Sequence, residues 1–359
     1  MTILHVMAQA EWGGGEQYVY DLAQKQIACG HNVIILSAPS TSIERKVCQL
    51  DCRYFVIKHR GRFNPCSIYR FRKIITSHKA DIVHVHQFQD AFIAVFAALS
   101  ISSSKRPKVV MTRHLVRKGK TNFLYRWLYG KIHKLIFVSK LAKEAFATNI
   151  SLPDTKALVI HNSIAPSVTA SGDVDYRKQL DLDEQCVLIG YVGRIVDFKG
   201  VELLIDVAEK FIHKNVAFLL AGSGDKHYEQ HLHTLIKEKK LERKLFLLGF
   251  LNNPENFIEK VDIGVLPSLC VESFGLSVLQ FMKAGVPTIT SNTGAQPEFV
   301  KNGITGILVN PTVNEVEEAL LNLLNDEKKR QGIGVNAKHY CEEFFSYDVF
   351  FKKIIDAYN

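Results

Sequence analysis

No stretch of this sequence approaches the roughly 20 uninterrupted apolar residues that a membrane-spanning helix needs, and the opening MTILHV is not a basic region followed by an apolar run and a cleavage site. Neither a membrane span nor signal-peptide secretion is expected. Cysteine is sparse and scattered, at positions 29, 48, 52, 66, 186, 270 and 341, an odd number with no CxxC pair. That distribution argues against a disulfide framework and for a reducing, cytoplasmic compartment. Cys48 and Cys52 alone could form half of a metal site, but no second Cys or His pair follows at zinc-like spacing, so they read as structural thiols. Repeats, low-complexity tracts and the GxGxxG spacing of dinucleotide sites are also missing.

The chain has 359 residues, 47% of them hydrophobic and 23% charged, a composition that suits a globular protein and excludes a disordered or fibrous one. Its length exceeds a single hydrophobic core, so two domains are expected. The net charge of +9 is unevenly spread. Residues 1–165 hold 24 Lys and Arg against 9 Asp and Glu, whereas the remainder holds 21 against 27. A half carrying +15 attracts anionic partners: membrane phospholipid, a phosphorylated lipid or saccharide, or nucleic acid.

Short runs rich in Val and Ile recur between amphipathic segments. In the first half they are 3–7, 32–37, 81–86, 108–112 and 134–139; in the second, 187–193, 216–222, 244–250, 262–268 and 286–291. Such runs read as buried parallel strands, and the helical spacing of 15–29, 65–78 and 89–101 makes the first series a βαβ succession. Pro, Ser, Thr and Gly cluster in IAPSVTASGDVD (164–175), where a hinge is expected. The expected organisation is a first domain over 1–165, a second over 166–340, and a C-terminal segment 341–359 packing back on the first, with FFSYDVFFKKIIDAY as one amphipathic helix.

Open α/β sheets bind ligands at the C-terminal ends of their strands, and the loops there carry the chemistry. AEWGGGEQYVYDLA leads through Gly13, Gly14 and Gly15 into a helix expected near Glu16 or Gln17. Glycines there let backbone N–H groups approach a phosphate, although such a turn is equally compatible with a purely structural role. GRIVDFKG (193–200) carries Arg194 and Lys199, two cations suited to a diphosphate leaving group or else two solvated surface charges. In PSLCVESFGLSVLQFMKAGVPTITSNTGAQPEFV (267–300), Glu272 sits in a strand-end loop, Gly275 marks a helix start and Gln280 falls on its second turn. A carboxylate there can accept bonds from vicinal sugar hydroxyls, while backbone N–H groups from Phe274 to Leu276 can face sugar or phosphate. His84 and His86 alternate on one strand and point to one face; with no third ligand at recognisable spacing, a structural or acceptor-cleft role is favoured over a metal pair.

The GGGE loop, Thr112–His114, the Arg194/Lys199 loop and ESFGLSVLQ with its GVP and SNTG continuation together resemble the family-four retaining glycosyltransferases of the GT-B fold, in order along nearly the whole chain. The resemblance implies an α/β architecture of two Rossmann-like domains with parallel sheets facing across an inter-domain cleft. It implies a nucleoside diphosphate sugar donor, a UDP-sugar foremost, held by the second domain, and a glycan or lipid-linked acceptor held by the first. Bacterial cell-surface polysaccharide or lipopolysaccharide synthesis is the setting it suggests, without nucleic acid, cofactor or catalytic metal. In its terms Gly13 to Gly15 lie over the donor phosphate and Arg194 and Lys199 clamp the diphosphate. Glu272 contacts the sugar hydroxyls, His114 approaches the transferred sugar, and Phe250, Ser273, Phe274, Gly275, Leu276 and Gln280 complete the donor site. No carboxylate stands out as a covalent nucleophile, which favours same-face attack assisted by the leaving phosphate.

Two departures stand out. The family's second Glu, eight positions after the first, is Gln280 here; a neutral amide loses charge-assisted bonding to the ribose hydroxyls, worth on the order of 1–2 kcal/mol. HNSIAP (161–166) replaces the common PNGVD before the linker, retaining Asn162. The run VRKGKTNFLYRWLYGKIHK (116–134), with KHRGRF (58–63) and FRK (71–73), mixes cations with aromatics. It suits either a peripheral position on the anionic inner face of the plasma membrane or a packed helix with a solvated basic side. A non-catalytic binder of sugar nucleotide or anionic polymer, and an epimerase or phosphorylase on the same fold, are the alternatives.

Overall fold

Seven parallel strands form the sheet of the first unit: β1 (Thr2–Met7), β2 (Asn32–Ser37), β3 (Arg53–Val56), β4 (Ile82–Val85), β5 (Lys108–Arg113), β6 (Lys134–Phe137) and β7 (Ala157–Val159). Six more form that of the second: β8 (Val187–Val192), β9 (Val216–Ala221), β10 (Leu245–Gly249), β11 (Ile263–Leu266), β12 (Thr288–Ser291) and β13 (Ile307–Val309). The computed structural model describes residues 1–7, 13–57, 62–166 and 174–359. Most of the hinge expected at 164–175 and of the basic stretch KHRGRF lies outside the described residues.

The strand orders are 3-2-1-4-5-6-7 and 10-9-8-11-12-13. In each the winding reverses beside the first strand of the unit, between β1 and β4 and between β8 and β11, the switch points where Rossmann-like sheets open toward a ligand. The central strands are apolar on both faces because helices cover both: all six residues of β9 are buried, as are Val33 to Ser37 of β2. The helix Phe88–Leu99 is apolar almost all round and correspondingly sunk, with Phe92, Ile93 and Val95 buried beside Phe71 and Ile75 of the helix Pro65–His78. That second helix starts where Asn64 accepts the Ser67 N–H at 3.0 Å and Pro65 takes the first position.

The chain divides into Met1–Asn162 with Asp348–Asn359, and Ser163–Tyr347. The C-terminal segment is not one helix. The helix Glu327–Phe344 ends, and after two intervening residues a new helix, Tyr347–Tyr358, begins. Tertiary contacts meet the chain at the break: the Phe345 ring lies 5.9 Å from that of Phe299, and its carbonyl accepts the Ser163 hydroxyl at 2.6 Å. Residues 341–344 therefore complete the earlier helix, and it is Asp348–Asn359 that count with the first unit. There Asp348 pairs with Lys25 at 2.8 Å, and the Phe350 ring meets Tyr18 edge-on at 5.5 Å.

Candidate functional site

In the first unit the glycine motif places a helix start. Gly13 is extended (φ −150°) and its carbonyl accepts the Gln17 N–H at 2.9 Å, so the helix Gly14–Ala28 begins two residues earlier than expected. Gly14 and Gly15 thus lie in the first turn, where N–H groups lack intrahelical acceptors. A Cβ on Gly15 would meet nothing within 4 Å, so internal packing does not require the glycine.

Beside it, at the switch point, four histidines converge. His5 on β1 is the register partner of His84 on β4, while His86 and His114 follow the ends of the neighbouring strands β4 and β5. His5 Nε2 meets Gln26 Oε1 at 2.8 Å, and Gln26 Nε2 donates to Tyr358 Oη at 3.2 Å. Tyr358 Oη lies 2.8 Å from His84 Nδ1, and His84 Nε2 lies 2.8 Å from Thr112 Oγ1. His86 Nδ1 and His114 Nε2 are 3.1 Å apart. Burial pushes all four rings below the ordinary imidazole value, His5 and His114 to about 4, so each is neutral near pH 7.

Sequence reasoning found no third partner for His84 and His86 because His5 is brought to them only by the pairing of β1 with β4. Donor atoms of these three lie within 4.8 Å of one another. His84, however, bonds through both ring nitrogens, to Tyr358 and Thr112, which leaves it no lone pair for an ion. The cluster is organised as a hydrogen-bond network.

The second unit gathers charge after β8 and β11. The loops after β8 and β9 lie backbone to backbone: a Cβ on Gly222 would sit 1.7 Å from the Gly193 carbonyl, and one on Gly224 1.8 Å from that of Ile195. That close approach fixes the loop bearing Arg194, whose exposed guanidinium sits 5.6 Å from the Phe198 ring centre. Lys199 ends a short 3-10 turn before Gly200, which is left-handed (φ +76°) and against the Pro267 carbonyl.

Lys199 Nζ pairs with Glu272 Oε1, which also accepts the Ser268 hydroxyl at 2.6 Å. The Glu272 backbone is held in turn by Gly294 through a parallel bridge, and its carbonyl accepts the Ala295 N–H at 3.0 Å. Cys270 lies amid these charges: burial and Glu272 push its thiol up, while Lys199 and Arg194 pull it down. Arg194, Lys199 and Glu272 therefore occupy one neighbourhood of the second unit.

The remaining predicted residues divide. Gly275 is left-handed (φ +97°) and caps the helix Leu276–Ala284, offering no side chain of its own to the first N–H groups. The Phe274 side chain is buried, its ring stacked on Phe299 at 4.8 Å, so only its backbone is available to a ligand. Ser273 is half-buried and Phe250, after left-handed Gly249, is 65% exposed. Gln280 donates its amide to Glu255 Oε1 at 3.1 Å. Glu255, on the short helix Pro254–Ile258, was missed because the only signal was a lone carboxylate 25 positions upstream.

Residues 174–340 match the family model described as glycosyl transferases group 1, and residues 12–168 that of glycosyltransferase family 4. An uncharacterized glycosyltransferase of Methanocaldococcus jannaschii is 27% identical over 300 residues, covering 78% of this chain and 75% of the relative. A UDP-Gal:alpha-D-GlcNAc-diphosphoundecaprenol alpha-1,3-galactosyltransferase of Escherichia coli is 26% identical over 286 residues, covering 72% of each. Among solved structures, a glycosyltransferase from Rickettsia africae superposes with a TM-score of 0.88 at 21% identity, covering 99% of this chain and 97% of that one. HepE of Anabaena, in complex with UDP and glucose, gives 0.84 at 19%, covering 99% and 98%. The shared fold is GT-B.

Proposed function

Since the chain belongs to the family-four glycosyltransferases of the GT-B fold, we propose that it moves a hexose-type sugar, with retention of anomeric configuration, from a UDP-sugar to a hydroxyl of a glycan or lipid-linked acceptor. The observation that carries this reading is the grouping of Arg194, Lys199 and Glu272. Departure of a nucleoside diphosphate concentrates negative charge, and cations fixed in place stabilise it without water having to reorganise. Arg194 and Lys199 supply that charge. Glu272 holds Lys199 until the diphosphate draws on it, and presents its carboxylate to the sugar hydroxyls.

The N–H groups after Gly275 face sugar or phosphate, those after Gly13 lie over the donor phosphate, and Phe250 and Ser273 line the donor site. Gln280 and Glu255 together receive the ribose, so the carboxylate absent at 280 comes from the neighbouring helix. His114 contacts the sugar being transferred. UDP as carrier is supported by HepE, solved with UDP and glucose, and by the E. coli relative, named for UDP-Gal and a diphosphoundecaprenol acceptor. No metal is required where fixed cations and helix ends balance the phosphates.

The first unit suits a peripheral position on the inner face of the plasma membrane, where a lipid-linked acceptor for cell-surface polysaccharide or lipopolysaccharide would be presented. No helix of the described residues is long and apolar enough to cross a membrane. Leu115 and Phe123 are 56% and 84% exposed, and Arg117, Lys118 and Lys120 between them are exposed cations. Apolar anchors among basic residues match an anionic lipid surface.

A panel of nucleotide sugars incubated with the purified protein tests the reading without an acceptor. Slow hydrolysis confined to UDP-hexoses is expected. Turnover of none of the donors, together with salt-sensitive binding of polyanions, would replace it with a non-catalytic binder.

A further inference from the structure

The histidines form two hydrogen-bonded groups, His5–Gln26–Tyr358–His84–Thr112 and His86–His114, and the partners of each set where its protons sit. Gln26 Oε1 can only accept, so His5 carries its proton on Nε2, and its Nδ1, buried without a partner among the described residues, is a bare lone pair. Gln26 Nε2 donates to Tyr358 Oη, which leaves the Tyr358 hydroxyl proton for His84 Nδ1. His84 is then protonated on Nε2 and donates to Thr112 Oγ1.

His86 and His114 follow the same rule. Their rings stack at 5.3 Å with 30° between planes, and one of the two facing nitrogens must donate to the other. His86 Nε2 is buried and has no partner among the described residues. A proton there would be an orphaned buried N–H, the rarer and more costly defect, whereas a bare lone pair is tolerated. The His86 proton therefore sits on Nδ1.

We propose that His86 is a positioning residue whose Nδ1–H donates to Nε2 of His114, holding His114 as the Nδ1–H tautomer, so that it offers the sugar a hydrogen-bond donor and not a base. The inference rests on the sugar contact assigned to His114 above. It adds a direction to that contact: His114 donates through Nδ1 to a sugar oxygen, and its other nitrogen is occupied. No proton is removed from the acceptor hydroxyl by this side chain, which leaves that proton to the departing phosphate.

The test is histidine-ring nitrogen NMR on the full-length protein, with the His114 signals assigned by their loss in His114→Gln. The expected spectrum shows His114 protonated at Nδ1 and bare at Nε2 near pH 7. His86→Asn keeps a donating amide near the same place and should preserve both the tautomer and turnover. His86→Leu should shift His114 toward Nε2–H and lower kcat about 10-fold, the size of one hydrogen bond at a reacting group, with donor KM little changed. An Nε2–H form of His114 in the unaltered protein overturns the proposal, as does a His86→Leu variant with unchanged spectrum and kcat. If His86→Leu does not fold, the unaltered protein's spectrum decides alone. Undiminished turnover in His114→Ala would instead sink the sugar contact, while the measured tautomer would still stand.

Discussion

Gln280 donates its side-chain amide to the carboxylate of Glu255 at 3.1 Å, across 25 positions of sequence. An amide that donates to a carboxylate orients it and leaves the second carboxylate oxygen to accept elsewhere. If this pair binds ribose, Glu255→Gln should raise donor KM about 10-fold with kcat nearly unchanged, the pattern of lost uniform binding. Gln280→Glu alone should not help, because two carboxylates at this distance repel. Combined with Glu255→Gln it should restore affinity, and failure of the double exchange to do so would remove Glu255 from the donor site.

Arg194→Ala or Lys199→Ala should lower turnover by roughly 100-fold or more, the scale of losing a donor to developing charge. Lys199→Ala also strips Glu272 of its ion-pair partner, so its donor KM should change more than that of Arg194→Ala. Steady-state kinetics with a UDP-hexose separate the two. Near-normal kcat in both variants would dissolve the clamp.

Gly294→Ala probes Glu272 without touching it. A Cβ at 294 would sit 2.7 Å from the Glu272 amide nitrogen, 2.8 Å from its carbonyl and 2.5 Å from Gln296 Oε1. Backbone on backbone cannot yield cheaply, so a loss of about 1–3 kcal/mol in stability is expected, together with a fall in activity as the Glu272 loop moves. Thermal unfolding and kinetics should change together; an unaltered melting temperature would show that the loop accommodates the methyl.

Stability of the first unit should fall on acidification. The His5 ring in the folded protein takes a proton only at about 4, against 6.5 ordinarily, so below 6.5 protons favour the unfolded chain. Its share between pH 7 and 4 is on the order of 3 kcal/mol. His84, His86 and His114 act in the same direction. Asp90, raised to about 7 by burial, opposes them, since the folded state holds its proton more tightly; four rings outweigh one carboxyl. Urea midpoints at pH 7 and 5 check the sign, and a higher midpoint at pH 5 would contradict it.

Vesicle flotation checks the basic face. Binding to anionic vesicles and not to neutral ones is expected, weakened about 10-fold in Phe123→Ser by loss of one buried aromatic. Equal absence of binding to both lipid compositions would exclude this surface.

Much of the fold was legible because the central strands are continuous apolar runs, and β2 was located to the residue. The strands missed were β3, β7 and β13, short and at or near sheet edges; β3 has no buried residue, so it leaves little hydrophobic trace. The helix start at Gly275 was visible through its glycine, and that at Pro65 through the helical spacing of 65–78. The break at Phe345–Ser346 was not, and the contacts that meet it come from Phe299 and Ser163, far away in sequence. At the candidate site the individual charges were legible, but not their pairing: Lys199 and Glu272 are 73 positions apart, and His5 joins His84 only through strand order.

Tyr358 closes the network that begins at His5, which places a constraint on the order of synthesis. The first unit's other residues end at Asn162, yet its polar core gains its last member only after the whole second unit has been translated. At roughly 5–20 residues per second that is a wait of about 10–40 s on the ribosome. During that interval His84 lacks one of its two bonding partners, so the portion made first is the portion finished last.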